Sequence, residues 1–421
     1  MRICIFEDRN VRNLEPLALT RPAFDLRCGA LTLLQRQRCH FGAGEVGALV
    51  RPLLHEYAAA LHPELAVNSQ PWLKGVQVLV NARWLPNGEP FRPVRAAHVG
   101  VVGDQVAYVA GPPEELSECP PAEVADFVED CTRTLPRRDA GGWMIDFPWD
   151  LVEHNGTALE WDYEQRKGRG TEAHGAYVVG PRERLIVEAG ARIDPLVVAD
   201  TTKGPVIIER GAVVHSFTTL EGPCFIGADS WLLGAKIRGS TVGPVCRVGG
   251  EVEASILHGY SNKAHDGFLG HSYLGEWVNF GAGTQTSDLR NDYGPVSVVL
   301  GGHKVNSGLT KVGSFVGDHT KTGLNTLLNT GTVVGPFCHL LASSSYVPKV
   351  VPAFCSFWHG QLQDRADFRQ LFTTAATVMR RRDREWTASH ADFFLALYDT
   401  TAAYRRQLLW EGEQRRLRRS V

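Results

Sequence analysis

The sequence predicts a chain in three parts: a mixed α/β domain over residues 1–172, a parallel β-helix over 173–358 and a helical extension over 359–421. Three observations lead there. Apolar residues recur at every sixth position at Ile208, Val214, Leu220, Ile226 and Leu232, and again at Val316, Leu328, Val334 and Leu340 with Thr322 as the one polar member. A six-residue period fits neither a helix nor an ordinary strand; it is the repeat of a coil with three flat faces. Short β-rich runs alternate with helix-period segments before this region, and amphipathic helical patterns follow it.

Taken in order, RICIF (2–6) and VQVLVNARW (76–84) read as strands buried on both faces. Between them ALTLLQRQRCH (30–40) and GALVRPLLHEYAAALHP (47–63) carry helix-period apolar positions. Residues 111–124 read as a Pro-rich loop, and 146–166 as a short helix entering a polar linker near 165–175. The six-residue pattern starts near 176. The interval 255–311 breaks its register, so an irregular loop is expected to leave the coil there. After Pro352 two long amphipathic patterns end in Arg-rich stretches, expected to be solvated helix faces.

Composition narrows the function classes. A net charge of −2 gives no global field for nucleic acid or an anionic membrane, so an anionic substrate needs a local cluster. The 43 glycines suit a fold of many tight turns. Nine cysteines without a CxxC pair support neither a zinc ribbon nor a disulfide framework, and scattered free thiols suit a reducing compartment. The opening MRICIFEDRN has no signal-like apolar region, and no run approaches the roughly 18 apolar residues of a membrane span. A cytoplasmic protein is the expectation.

The chemistry concentrates in SNKAHDGFLGHSYLGEWVNFGAGT (261–284). Ser261, Lys263, Ala264 and His265, then Asn279 and Gly281-Ala282-Gly283-Thr284, follow an order that resembles the acetyltransferase half of the bifunctional GlmU enzymes. That family reads S-K-A-G-H-L-x-Y-L-G, then N-[IV]-G-A-G-T; here one residue is missing before the His. EVEAS (251–255) resembles the family's V-E segment, with Arg238 upstream. The resemblance implies a left-handed β-helix, a homotrimer with sites between subunits, and acetyl-CoA as cosubstrate. It also implies roles. His265 takes the amine proton and Glu253 orients it. Lys263 and Arg238 hold the sugar phosphate, while Phe268 and Asn279 flank the sugar. Gly281, Ala282, Gly283 and Thr284 bring a backbone N–H to the thioester, and Asp318 and Lys321 are further candidate contacts for CoA. The family's C-N-Y-D-G after the turn is replaced by residues 285–294, so Asp288, Asn291 and Tyr293 are expected to rebuild acceptor contacts from a longer loop.

The N-terminal part keeps Pro16-Leu17, Arg21-Pro22 and Arg27-x-Gly29. It resembles a reworked sugar nucleotidyltransferase opening, L-A-A-G-x-G-T-R-L-x-P-L-T-x-x-x-P-K, without the glycine-rich phosphate loop or the final lysine. The segments Thr20–Gly29 and Val80–Pro86 match the T-R-P-x-x-x-L-R-x-G and V-N-x-R-x-L-P patterns of a divergent GlmU-like group of sugar nucleotidyltransferases. The resemblance implies a Rossmann-like α/β nucleotidyltransferase fold, Mg²⁺, and nucleotide contacts from Arg21, Arg27, Asn81 and Arg83. Asn81 stands where the family has its metal aspartate; Asp8 and Asp25 are the replacements at hand, and the metal ligand stays unassigned.

The function implied is bifunctional: N-acetylation of glucosamine 1-phosphate, then uridylyl transfer from UTP to the sugar 1-phosphate. The alternatives are an acyltransferase with a degenerate, non-catalytic first domain, and a sugar-nucleotide-binding scaffold. A three-histidine zinc enzyme built from His258, His265, His271 and His303 is a further reading, although five residues separate His265 from His271 where that enzyme type has four between its paired histidines.

Overall fold

The computed structural model describes residues 1–87, 89–92, 96–116, 118–170, 175–342 and 346–419, without the side chains of 115, 121 and 415–419. The boundary expected at 172/173 lies outside the described residues. Contacts divide the chain into two compact units: Met1–Leu14, Arg21–Arg27 and Leu31–Phe147 form the first; Glu15–Thr20, Cys28–Ala30 and Pro148–Val421 form the second.

The first unit is built on a seven-stranded sheet. Its interior strand Arg2–Phe6 runs parallel to Glu45–Leu49 on one side and to Val78–Asn81 on the other. Beyond Val78–Asn81 the sheet turns antiparallel through Gln105–Ala110 and His98–Val102. The strand Arg2–Phe6 shows no alternation of apolar and polar residues because both its faces are covered: Ile3, Cys4, Ile5 and Phe6 are all buried. The helix Val124–Thr134 lays Val124 and Val128 over Cys4, Leu79, Val99 and Val109. The helix Leu33–Phe41 opens on a capping box, in which Thr32 Oγ1 accepts from the Gln35 N–H and Gln35 Oε1 accepts from the Thr32 N–H. Gly42 closes it at φ 55°. The segment 47–63, expected to be helical throughout, begins in the strand Glu45–Leu49 and becomes α-helical only at His55–Leu61.

The second unit is a left-handed parallel β-helix whose coils stack three sheets. The first face runs Ala176–Val179, Val197–Asp200, Thr219–Glu221, Lys236–Arg238, Glu251–Glu253 and Phe268–Gly270. The second runs from Leu185–Val187 to Val350–Val351 through nine strands. The third runs from Arg192–Ile193 to Asn262–Lys263, passes through bridges at Asn279, and resumes at Lys321–Thr322. Both six-residue runs are the inward positions of these faces. Ile208, Val214, Leu220, Ile226 and Leu232 are each 0% exposed, and Val316, Leu328, Val334 and Leu340 lie in the same core.

The coil does not stop at 255. It continues through Ile256–Gly259, Asn262–Lys263, Phe268–Gly270 and Tyr273–Glu276, with shortened steps between inward residues such as Val248 to Val252. The excursion is shorter than expected. It leaves at Asp288 and returns at Val312, whose N–H donates to Asp288 O, and carries an antiparallel hairpin, Ser297–Leu300 with His303–Asn306.

The corners between faces force non-glycine residues into the left-handed region, among them Leu196, Phe217, Ala254, Tyr260, His271, Trp277, His319, Phe337 and Phe354. Each such residue costs about 1–2 kcal/mol of backbone strain. At the corner from second to third face, stacking offsets it: Tyr260, Trp277, His319, Phe337 and Phe354 form a ladder with successive ring centroids 4.4, 6.2, 4.6 and 5.5 Å apart. The helices Phe368–Arg380 and Ala388–Thr400 belong to this unit and lean on the ladder through Phe372, Trp386 and Phe394. Several tail arginines are used here rather than solvated: Arg384 donates to the Tyr260 hydroxyl at 2.7 Å, and Arg405 lies 2% exposed against Tyr398 and Asp364. Among the described residues no helix is long and apolar enough to cross a membrane.

All nine cysteines are free thiols; Cys39 is exposed, Cys131 half-buried and the other seven buried. Burial pushes Cys119, Cys224 and Cys338 up to about 12, which removes the reactive thiolate at neutral pH. A native-state thiol titration should therefore show one fast group, abolished in Cys39→Ser, and at most one slower one. Three or more thiols reacting before unfolding contradicts this packing.

Candidate active site

Residues one coil apart in sequence are neighbours in space, so a site on the β-helix is assembled from successive coils. At the corner from third to first face, Gly249-Gly250, Ala264–Gly267, Gly281–Thr284 and Gly323–Asn325 lie one above the next. The Gly283 N–H donates to Asp266 O at 3.1 Å, and the Asn325 N–H to Ala282 O at 2.8 Å. His265 is thus brought onto the same corner as the Gly-Ala-Gly-Thr turn. Its ring is exposed and has no hydrogen-bond partner among the described residues. The turn's small residues have a packing reason of their own. A Cβ on Gly281 would lie 2.7 Å from the Gly323 backbone, and one on Gly283 2.0 Å from Asn325 Oδ1, besides requiring φ 74°. Within the turn, the amides of Gly281, Gly283 and Thr284 donate to Thr322 Oγ1, Asp266 O and Gly281 O; the Ala282 N–H has no acceptor among the described residues.

Lys263 does not face outward. Its register partner is Val248, so it occupies an inward position of the third face, where it is 2% exposed. Its ammonium donates to Gly249 O at 3.0 Å and His265 O at 2.7 Å, and burial brings it down to about 8. The side chain as placed therefore holds main-chain carbonyls, where the resemblance implied a sugar phosphate.

Arg238 and Glu253 are brought together, on the first face, but with each other: Arg238 Nη1 lies 2.9 Å from Glu253 Oε2, and the guanidinium also meets Glu251 at 3.1 Å and Glu221 at 3.6 Å. Lys311 takes the other Glu253 oxygen at 3.3 Å. Among the described residues Glu253 makes no bond to His265, and Arg238 faces three carboxylates. Phe268 and Asp288 join this face over Gly270, where a Cβ would touch both the Phe268 ring and Asp288 Oδ2 at 2.4 Å.

Beside them lies a pair that reading the sequence missed. His271 Nδ1 sits 2.7 Å from Asp288 Oδ2, at 14% and 11% side-chain exposure. Burial pushes Asp288 upward, but the His271 hydrogen bond and the charges of His271 and Lys311 outweigh it and hold the carboxyl below its ordinary value. The spacing of 17 residues, one coil, is the signal that would have found it.

The remaining candidates lie elsewhere on the coil. Asn279 and Lys321 are bridged on the third face, and Arg382 of the tail reaches Asn262 next to Asn279. Burial, with the charge of Arg365, lowers Lys321 to about 8. Asp318 is committed: it accepts from Thr20 Oγ1 and from the Glu276 N–H, both at 2.7 Å. Asn291 and Tyr293 are exposed on the excursion. A cavity of about 1030 Å³, lined by Tyr346, Gln361, Tyr404 and Trp410 among others, includes none of the candidate side chains. His258, His265, His271 and His303 assemble no group of three or more metal-ligating side chains among the described residues.

In the first unit Arg83 is 0% exposed. Its guanidinium bonds Asp8 at 2.8 and 2.6 Å, Asp146 at 2.7 Å and Gln105 at 2.8 Å. Asn81 donates to the same Asp8 carboxylate at 3.0 Å. Burial acts to raise Asp8, yet Arg83 and Asn81 win and lower it. Asp25 pairs with His62 at 2.8 Å, and Arg21 and Arg27 are nearly buried. These donors do not fit the Mg²⁺ that the resemblance implies. A guanidinium stands between the two carboxylates that would have to turn toward a cation, and no cluster of three or more ligating side chains occurs among the described residues.

Comparison with known proteins bears on both units. Residues 3–170 match the sugar nucleotidyl transferase family. The bifunctional sugar-1-phosphate nucleotidylyltransferase/acetyltransferase of Sulfurisphaera tokodaii is 31% identical over 210 residues, 48% of this chain and 45% of its own. The bifunctional protein GlmU of Methanocaldococcus jannaschii is 34% identical over 204 residues, 47% of this chain and 42% of its own. The chain thus spans a little under half the length of these relatives. A solved UDP-N-acetylglucosamine acyltransferase covers 54% of this chain and 83% of its own at 15% identity with a TM-score of 0.22, too slight a likeness to argue from.

Breaking a buried ion pair from one side leaves the partner charges stranded, typically at about 3–5 kcal/mol. Arg83→Met should lower the denaturant stability of the first unit by about that much. A loss under about 1 kcal/mol would show that the Asp8–Arg83–Asp146 arrangement is not the unit's buried anchor.

Proposed function

We propose that the chain is a divergent member of the GlmU-like family and that its β-helix transfers the acetyl group of acetyl-CoA to the amine of an amino-sugar 1-phosphate, glucosamine 1-phosphate in the first instance. The observation that carries the reading is the stacking of His265 and the 281–284 turn, one coil apart in sequence, on one corner of successive coils. The amine nitrogen attacks the thioester carbonyl, the amine proton passes to the His265 imidazole, and as the C–S bond breaks the imidazolium returns that proton to the departing sulfur, so that CoA leaves as its thiol. The Ala282 N–H, without an acceptor of its own among the described residues, is the donor for the oxyanion. Phe268 offers a face to the sugar ring from the adjoining first face.

We place this site between subunits of a homotrimer. The same corner carries an exposed apolar stripe: Leu196 at 66%, Phe217 at 75%, Leu233 at 39% and Leu324 at 72% exposed. Such a stripe beside a polar, reactive corner suits burial against a second copy.

For the first unit the proposal is uridylyl transfer from UTP to the sugar 1-phosphate with release of pyrophosphate. The family match over residues 3–170 supports it. Arg83 is closed by Asp8 and Asp146, and Arg21 and Arg27 lie buried in the same unit.

Two assays on the intact protein test the two halves separately: thiol release from acetyl-CoA with amino-sugar phosphates, and pyrophosphate release across nucleoside triphosphates. His265→Gln should lower acetyl-transfer kcat by about 10²–10⁴-fold while leaving the thermal midpoint unchanged. Unchanged kcat would exclude His265 as the base. Sedimentation should give a trimer at micromolar concentration, and a monomer there would remove the inter-subunit site.

A further inference from the structure

We infer that Lys263 is a positioning residue, holding from inside the coil the main chain that carries His265; the inference rests on the acetyl-transfer reading of that corner. The inward column of the third face reads Ile193, Val214, Leu232, Val248, Lys263, and the bridges at Asn279 carry it on to Phe280, Thr322, Leu340 and Phe357. A lysine there is costly. It forfeits the apolar burial that Val, Leu or Met would supply, and it takes an ammonium out of water.

What the ammonium does in return is specific. It donates to Gly249 O at 3.0 Å and to His265 O at 2.7 Å, carbonyls of two successive turns on one corner. The space is fitted to it: a Cβ on Gly250 would lie 2.9 Å from Lys263 Nζ. The third turn, 281–284, rests on the second through the Gly283 N–H on Asp266 O. Lys263 therefore fixes the His265 backbone relative to the turn below, while the thioester-facing turn is fixed above. At the other turns of this corner the buried polar side chains are hydroxyls: Thr322 Oγ1 receives the Gly281 N–H, and Thr326 Oγ1 donates to Gly323 O at 2.9 Å; in the inward column of the third face Lys263 is the charged member. An exposed histidine on a corner has few contacts to orient it, so its direction depends on its backbone. A shift of about 1 Å at a reacting group is enough to lose most of the rate.

This differs from the phosphate-holding role in what a substitution changes. Lys263→Met keeps the length of the side chain and restores an apolar column, so the fold should persist with an unchanged or higher thermal midpoint. A positioning role predicts a kcat for acetyl transfer at least about tenfold lower, with the KM for acetyl-CoA and for glucosamine 1-phosphate each within about twofold. A phosphate holder instead gives a raised sugar-phosphate KM at constant kcat. Lys263→Gln, which keeps a donor, should recover part of the rate.

Hydrogen exchange supplies a readout independent of activity. The amides of Glu251 and Gly283 donate to Gly267 O and Asp266 O, at 3.2 and 3.1 Å. In Lys263→Met they should exchange about tenfold faster or more, while the Trp231 and Thr241 amides elsewhere on the coil hold their rates. Unchanged exchange at both, or unchanged kcat in an active protein, overturns the inference. If the wild-type protein transfers no acetyl group the functional reading fails by itself, and the exchange comparison still decides whether Lys263 fixes the corner.

Discussion

Every feature of the second unit depends on one steric constraint: the inside of a three-faced coil is narrow, and each inward side chain must rest on its counterpart in the coil below. This register makes the three sheets parallel and puts residues one coil apart in contact. It also requires sharp corners, and those corners hold non-glycine residues in the left-handed region. At one edge the strain is offset by an aromatic ladder that gives the C-terminal helices something to pack against. At another edge the corner turns themselves are stacked, and the stack sets His265 beside Gly281–Thr284.

The two units solve the problem of interior charge differently. Arg83 is buried in the first unit with two carboxylates, a glutamine and a carbonyl around it, so its charge is matched and its donors are used. Lys263 is buried in the second with carbonyl oxygens only, and its ammonium is weakened accordingly. The matched charge serves the fold and leaves Asp8 and Asp146 with little to offer a metal. The unmatched one is tolerated because of what it touches.

The β-helix was legible because two runs of five inward positions keep a strict six-residue step, and period is the one property a sequence displays directly. Between them the step shortens, from Leu232 to Ile237 and from Val248 to Val252, and an inward position is filled by lysine. A pattern scored on apolarity loses the coil there, so a loop was expected across 255–311 where only the stretch from Asp288 to Val312 departs. The resemblance made Lys263 a holder of sugar phosphate, and its inward place leaves no sign in the pattern: charge at a core position is invisible to a rule that defines the core by its absence. The pairing of Glu253 with Arg238 and Lys311, and of His271 with Asp288, depends on stacking between coils, and follows only once the coil length is known. In the first unit the strands Arg2–Phe6 and Val78–Asn81 were readable as apolar runs, whereas the closure of Arg83 by Asp8 and Asp146 joins three distant segments and left no local trace.

The central claim is that acyl transfer takes place at the corner where His265 meets Gly281–Thr284. A crystal structure of the protein with bound acetyl-CoA tests it most directly. The account predicts the thioester carbonyl within hydrogen-bond reach of the Ala282 N–H and on the side of the corner faced by the His265 ring. A thioester seated elsewhere, beside the His271–Asp288 pair or in the cavity lined by Tyr346 and Tyr404, would contradict it.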